Sequence, residues 1–201
     1  MIYQDALVIV ANKPAGLLSV PGKLKGREDC LEGRMRAQFW DSLLVHRLDC
    51  DTSGVMIFAR TKRAQGFLGQ EFEQRRAKKV YVARVAGLME QDRGRVDLPI
   101  GPDWEFRPRQ KVDPVNGRSA VTDYEVLERG GGETRVRLMP QTGRSHQLRV
   151  HMQALGHPIL GDPIYSADPG AFPRLMLHAE VLGLHHPGTT EWVEFRAECP
   201  F

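Results

Sequence analysis

Asp49 lies in the stretch VHRLDCDTSGVMIFA, residues 45 to 59, two residues after Arg47 and just before the turn formers Thr52, Ser53 and Gly54. Apolar residues flank it on both sides, Leu43, Leu44, Val45 and Leu48 before and Val55, Met56, Ile57 and Phe58 after, so the turn is expected to rest against a core. An ionised carboxylate in such a place needs a cationic partner and hydrogen-bond donors. Two uses fit it. It can cap the turn by accepting backbone N–H groups, or it can serve as a held, partly desolvated nucleophile.

A second constellation is PQTGRSHQLRVHMQALGHPILGDPIY, residues 140 to 165. Leu148, Met152 and Leu155 recur at i, i+4 and i+7, which predicts a helix. Thr142 and Gly143 make the turn before it, so Arg144 and Ser145 are expected in its first turn. An arginine there adds to the partial positive charge of a helix N-terminus. Together they form an anion receptor, for a phosphate or a protein carboxylate; a solvent-facing arginine is the plainer alternative. Tyr81 follows Lys78 and Lys79 in an alternating run, where a core tyrosine with its hydroxyl tied off is the ordinary use. In WEFRPRQKV, residues 104 to 112, Trp104 and Phe106 interleave with Arg107, Arg109 and Lys111. That mixture suits phosphate contacts and base stacking, and a protein-binding loop would look similar.

Metal and serine-nucleophile chemistry find little support. His146 and His151 are five residues apart, hence on different sides of a helix, whereas a zinc pair needs i, i+4. His178, His185 and His186 have no nearby acidic or cysteine ligand set, and Ser53 and Ser145 lack the G-x-S-x-G setting of a nucleophile elbow. No metal site is expected.

The elements that must position these residues are mostly short strands. Residues 6–11 (ALVIVA) read as a buried strand closed by the turn NKPAG, residues 31–44 as a helix, and residues 43–48 and 55–59 as strands around a turn at 51–54. Ala64, Phe67, Leu68 and Phe72 predict an amphipathic helix over 62–75. Alternation predicts strands at 78–87, 119–127, 133–139, 179–185 and 191–196. Strands joined mainly by turns, with few helices, indicate an α+β fold with a mixed, mainly antiparallel sheet flanked by helices and loops. No internal repeat or low-complexity linker interrupts the chain, so residues 1–201 read as a single catalytic-sized domain.

With 41% hydrophobic residues the chain can bury a substantial core, which argues against disorder. Its three cysteines, Cys30, Cys50 and Cys199, are far apart and support neither a disulfide framework nor a zinc spacing, which fits a reducing cytoplasm. No apolar run approaches the roughly 20 residues that span a bilayer, and no membrane association is expected. The net charge of +3 is unevenly spread. Residues 60 to 95 carry 10 basic and 4 acidic groups, whereas residues 151 to 201 carry 2 and 6. One positive face facing a polyanion fits this, as does a solvated basic helix.

Taken together, ALVIVANKPAGLLSVPG, HRLDCDTSGVMIFART, KKVYVARVAG, GRSAVTDYEVL, TGRSHQLRVHMQALGHPILGDPIY and RLMLHAEVLGLHHP resemble the RluA-type pseudouridine synthase family almost end to end. The resemblance implies that Asp49 is the catalytic aspartate, Tyr81 the active-site tyrosine and Arg144 the basic residue paired with the aspartate. It implies that Arg47 enters the RNA stack where the target uridine has left. Further RNA contacts are expected from Thr52 beside the catalytic position and from Lys78 and Lys79 on the basic strand. Arg107, Arg109 and Lys111 in the aromatic loop, and His146 and Arg149 in the downstream block, complete the expected set. The implied partner is RNA, in the form of a tRNA anticodon stem-loop and a 23S rRNA hairpin, bound by a monomer without a separate N-terminal RNA-binding domain. Isomerisation involves no redox change, so no cofactor is implied. The rivals are a non-catalytic RNA-binding or RNA-folding protein on this fold, and a retaining glycosidase-like hydrolase for which no second carboxylate is evident.

Overall fold

In the computed structural model, which describes residues 1–22 and 26–201, β-branched and alternating segments become strands and only three segments become α-helices among the described residues. The order is β1 (Tyr3–Gln4), β2 (Val8–Lys13), α1 (Leu31–Gln38), β3 (Leu43–Leu44), β4 (Ser53–Ala59), α2 (Lys62–Glu73), β5 (Lys78–Ala86) and β6 (Arg93–Asp97). Then come β7 (Ile100–Pro102), β8 (Gln110–Val112), β9 (Val121–Gly130), β10 (Glu133–Pro140), α3 (Gln147–Ala154), β11 (Leu177–His185) and β12 (Trp192–Arg196). This is the α+β class with a mainly antiparallel mixed sheet that the patterning predicts. Among the described residues no helix is long and apolar enough to cross a membrane.

The chain forms two compact units, Met1–Lys79 with His178–Pro200, and Val80–Leu177 with Phe201. In the first, β4 is the central strand, and every one of its seven residues is buried, as its unbroken apolar run requires. β2 runs antiparallel along one edge, from Val8 opposite Ala59 to Lys13 opposite Gly54. The other edge is shared: β3 pairs with Phe58 and Ala59, and β11 pairs in parallel with Ser53 and Gly54. Between them His46 Nε2 accepts the Ile57 N–H at 3.1 Å, so a side chain replaces the missing strand. α2 starts where Thr61 caps Ala64 N–H, and it lays Ala64 and Leu68 on Val8, Val10, Val55 and Ile57.

In the second unit β5, β10, β9 and β6 lie side by side in that order, all antiparallel, with a register shift in β10 between Arg135 and Val136. Leu148 and Met152 of α3 pack on Ala83, Val85, Val136 and Leu138 from one face. The opposite face carries cross-strand pairs, among them Arg95 on Asp123 at 2.6 Å and Arg137 on Glu125 at 2.5 Å. β7 and β8 make a separate two-stranded ribbon.

Several boundaries depart from the sequence expectation. The helix over 31–44 ends at Gln38, because Phe39 turns extended (φ −134°, ψ 93°) and the polar, weakly amphipathic segment has little to hold it longer. The strand at 43–48 keeps only Leu43 and Leu44. α3 begins at Gln147 after His146, which is left-handed (φ 55°), so Arg144 and Ser145 precede the helix and do not form its first turn. The expected placement is therefore corrected: Arg144 stands three residues before α3, in a turn closed by the Gln147 N–H on its carbonyl at 3.2 Å. Leu155 caps the far end and is 38% exposed, not part of the buried face.

Candidate active site

The turn that carries Asp49 is held at the residues on both sides of it. Ser19 Oγ donates to the Leu48 carbonyl at 2.6 Å and accepts the Leu48 N–H at 3.0 Å. Lys13 is fully buried, and its ammonium donates to the carbonyls of Leu17 (2.6 Å), Cys50 (2.7 Å) and Pro14 (3.0 Å). A buried cation that spends its donors on carbonyls stitches the NKPAG turn to the residue after Asp49. Thr52 N–H closes the turn on the Asp49 carbonyl at 3.2 Å. Asp49 itself is half-buried and Arg47 is exposed.

The strand that leaves this turn is pinned as firmly. His178 Nε2 donates to the Ala197 carbonyl at 3.1 Å, which leaves Nδ1 to accept the Ser53 hydroxyl at 2.7 Å. Both side chains are buried, and the pair ties the start of β4 to β11. Next to it, Gly54 has φ +119°, and a Cβ there would lie 2.1 Å from the Ala179 carbonyl oxygen. Only glycine permits so close an approach of β4 and β11.

Tyr81 and Arg144 belong to the second unit. Tyr81 sits on β5 opposite Leu138 and packs, half-buried, on the core. Arg144 lies in the loop before α3, where its N–H donates to Gln147 Oε1 and its Nε to the Ser119 carbonyl, both at 3.0 Å. Buried Gln147 also takes the Thr142 hydroxyl at 2.7 Å and donates to the Val121 carbonyl at 2.9 Å. One amide thus fixes the loop 142–144 against the start of β9.

The basic residues divide by exposure. Arg107 is exposed and stacks on Trp104, 4.0 Å from the ring centroid, with Trp104 itself 73% exposed. Lys111 is exposed and lies 3.8 Å from Asp103. Arg109 lies over the Tyr165 ring at 5.5 Å. Lys78 is exposed, its ammonium 5.4 Å from the Trp192 ring. Lys79 is half-buried, and burial with the nearby charge of Arg75 lowers its pKa to about 8. Two residues expected at RNA prove to be interior. Thr52 is buried in the turn, and Arg149 is 2% exposed, forked on fully buried Asp162 with both bonds at 2.7 Å. Arg149 is committed to that carboxylate and offers no surface group, a correction to its expected role.

The histidines are accounted for by the fold. His46 stacks on Phe72 at 4.6 Å, and burial, with the charge of Lys79 adding, lowers its pKa to about 3. His151 bonds Thr122 and the Leu98 carbonyl. His185 contacts buried Glu71, which Arg76 also holds at 2.5 Å. Burial pushes Glu71 up, but the bonds from His185 and Arg76 outweigh it and lower its pKa. Lys13 and Tyr165 carry no expectation in the sequence, and Ser53 and His178 enter it only as a nucleophile and a metal ligand that their surroundings do not support. The lysine after an apolar strand was a usable signal, since a lysine inside a strand–turn junction needs acceptors; the other partners are distant in sequence.

An α+β fold with a buried, glycine-tight turn presenting a carboxylate defines a class. The RNA pseudouridylate synthase family matches residues 7–154. The chain belongs to that family, isomerases that convert uridine to pseudouridine in RNA. More particularly, it is 50% identical to the dual-specificity RNA pseudouridine synthase RluA of Escherichia coli K12, over 100% of this chain and 93% of that protein. It is 49% identical to RluA of Yersinia pestis, over 100% and 99%. Among solved structures, human RNA pseudouridylate synthase domain containing 1 matches with a TM-score of 0.83 and 34% identity, covering 100% of this chain and 83% of that one. Human RNA pseudouridylate synthase domain containing 4 matches at 0.79 and 28%, covering 99% and 88%.

Proposed function

We propose that this enzyme isomerises particular uridines in two kinds of stem-loop, a tRNA anticodon arm and a 23S rRNA hairpin, with Asp49 as its catalytic carboxylate. The observation that carries the assignment to Asp49 is its turn: the backbone of Leu48 and Cys50, the residues on either side of it, is fixed by Ser19 and Lys13, and Asp49 stands half-buried between them. The similarity to the dual-specificity RluA enzymes supports the pair of substrates. The residues 1–201 act as one catalytic domain, a monomer in the cytoplasm, without a cofactor.

The reaction breaks the bond between uracil N1 and ribose C1′, turns the base while it stays bound, and joins C5 to C1′. The hydrogen leaves C5 and N1 gains one, so atoms balance without redox chemistry. Asp49 acts as nucleophile or stabilising anion, with Arg144 as the basic residue of the reaction. Tyr81 stacks on the uracil and assists removal of the C5 proton. The target must leave its stack, at a cost of a few kcal/mol; Arg47, exposed beside Asp49, fills the gap and offsets that cost. Arg107, Arg109, Lys111, Lys78, Lys79 and His146 contact the RNA. Thr52 and Arg149 support the fold instead.

Purified protein incubated with anticodon stem-loops and 23S rRNA hairpins carrying tritium at uridine C5 tests this reading. Tritium release from members of both groups is expected. Release from one group alone limits the enzyme to that substrate, and release from neither contradicts the proposal.

A further inference from the structure

Tyr165 is 4% exposed, yet it touches two residues assigned to RNA contact, Arg109 and His146, and the strand that carries a third, Lys111. Its hydroxyl accepts the Gln110 N–H at 2.8 Å and lies 3.2 Å from the Gln110 carbonyl and 2.8 Å from His146 Nδ1. One proton and two lone pairs serve these partners, with the O–H directed to His146 or to the Gln110 carbonyl. The ring meets His146 edge-on at 5.7 Å and carries the Arg109 guanidinium at 5.5 Å. Gln110 opens β8, between Arg109 and Lys111.

Beneath the ring the support is rigid. The Arg149 guanidinium lies 5.1 Å from its centroid and is clamped by Asp162. Asp162 Oδ1 also accepts the Tyr165 N–H at 3.1 Å and the Ile164 N–H at 2.9 Å. Val150, Ala120 and Ile100 enclose the ring from the core. The hydroxyl is therefore a fixed point to which two otherwise separate pieces are tied: the ribbon strand bearing Lys111, with Arg109 just before it, and the left-handed residue His146 that caps α3. His146 has no side-chain cap bond of its own and sits at φ 55°, a conformation that a non-glycine residue keeps only when its surroundings hold it.

We propose that Tyr165 is a positioning residue for RNA recognition: its hydroxyl sets Arg109, Lys111 and His146 in one arrangement before the RNA arrives. The inference rests on the reading of those three residues as RNA contacts. Removing the hydroxyl while keeping the ring leaves the core intact and frees the contacts to wander, so binding loses its preorganisation while the reacting groups keep theirs.

The test is Tyr165→Phe, assayed on a stem-loop transcript that the wild type modifies, beside Arg109→Ala, His146→Ala and both double variants. Tyr165→Phe is expected to raise KM about tenfold, the scale of one or two lost hydrogen bonds, with kcat within about twofold. Its thermal midpoint should stay within a few degrees of wild type. In the Arg109→Ala or His146→Ala background the same change should cost clearly less, because the group it positions is gone. An unchanged KM, full additivity in both backgrounds, or a loss of kcat or of folding that leaves no KM effect overturns the proposal. If Arg109→Ala and His146→Ala themselves leave KM unaltered, the reading of these residues as RNA contacts has failed. A silent Tyr165→Phe beside costly single variants strikes the positioning inference alone.

Discussion

At the scale of single residues, the account depends on how a carboxylate is presented by groups that never react. Lys13 and Ser19 hold the backbone on either side of Asp49, and Gly54 lets the strand after it lie against β11. Gly54 is the sharpest case, since a methyl group would overlap a backbone oxygen that cannot swing away, at a φ that alanine disfavours. Gly54→Ala is expected to cost on the order of 3 kcal/mol or more of stability. It should also displace the turn enough to remove most activity. Urea unfolding together with tritium release measures both, and a variant with wild-type values for each would show that β4 and β11 are not in tight contact there. Asp49 with the sequence T-S-G after it could be read from the chain alone. The clamps could not, because Lys13 and Ser19 reach Asp49's turn from more than 25 residues away.

At the scale of elements, the strong periodicities survived folding and the weak ones did not. α2, β5, β9, β10, β11 and β12 lie within a few residues of where patterning puts them. α1 was overextended because a polar helix shows no face on which to judge its end, and α3 began later because His146 takes a left-handed turn that no periodicity reveals. The ribbon β7–β8 and the strand β6 were missed, their short segments being broken by glycine, proline and charged residues. Arg149 looked like surface charge since its partner, Asp162, is 13 residues on. His46, which fills the gap on the edge of β4, has a measurable signature. Its pKa is lowered in the folded protein to about 3, so its contribution is fully present above its unfolded value near 6.5 and is lost as pH falls from there toward 3. Between about pH 7 and about pH 5 wild type should lose about 2 kcal/mol through this group, a loss that His46→Gln lacks. Denaturant unfolding at the two pH values checks it; identical slopes for wild type and variant would mean that His46 is not held neutral.

For the whole molecule, the exposed basic side chains include Arg47, Lys78, Arg107 and Lys111. If those four neutralise phosphates, kcat/KM below saturation should fall by roughly two orders of magnitude between about 50 and about 200 mM salt. kcat at saturating RNA should change little, and a flat salt response of kcat/KM would remove the phosphate contacts from the account. The central claim remains the carboxylate. Asp49→Asn keeps the shape of the side chain and the clamped turn but removes the charge and the nucleophile. Under single-turnover conditions with enzyme in excess, the account predicts RNA binding within about threefold of wild type and no tritium released from uridine C5. Release at a rate near that of wild type would contradict it.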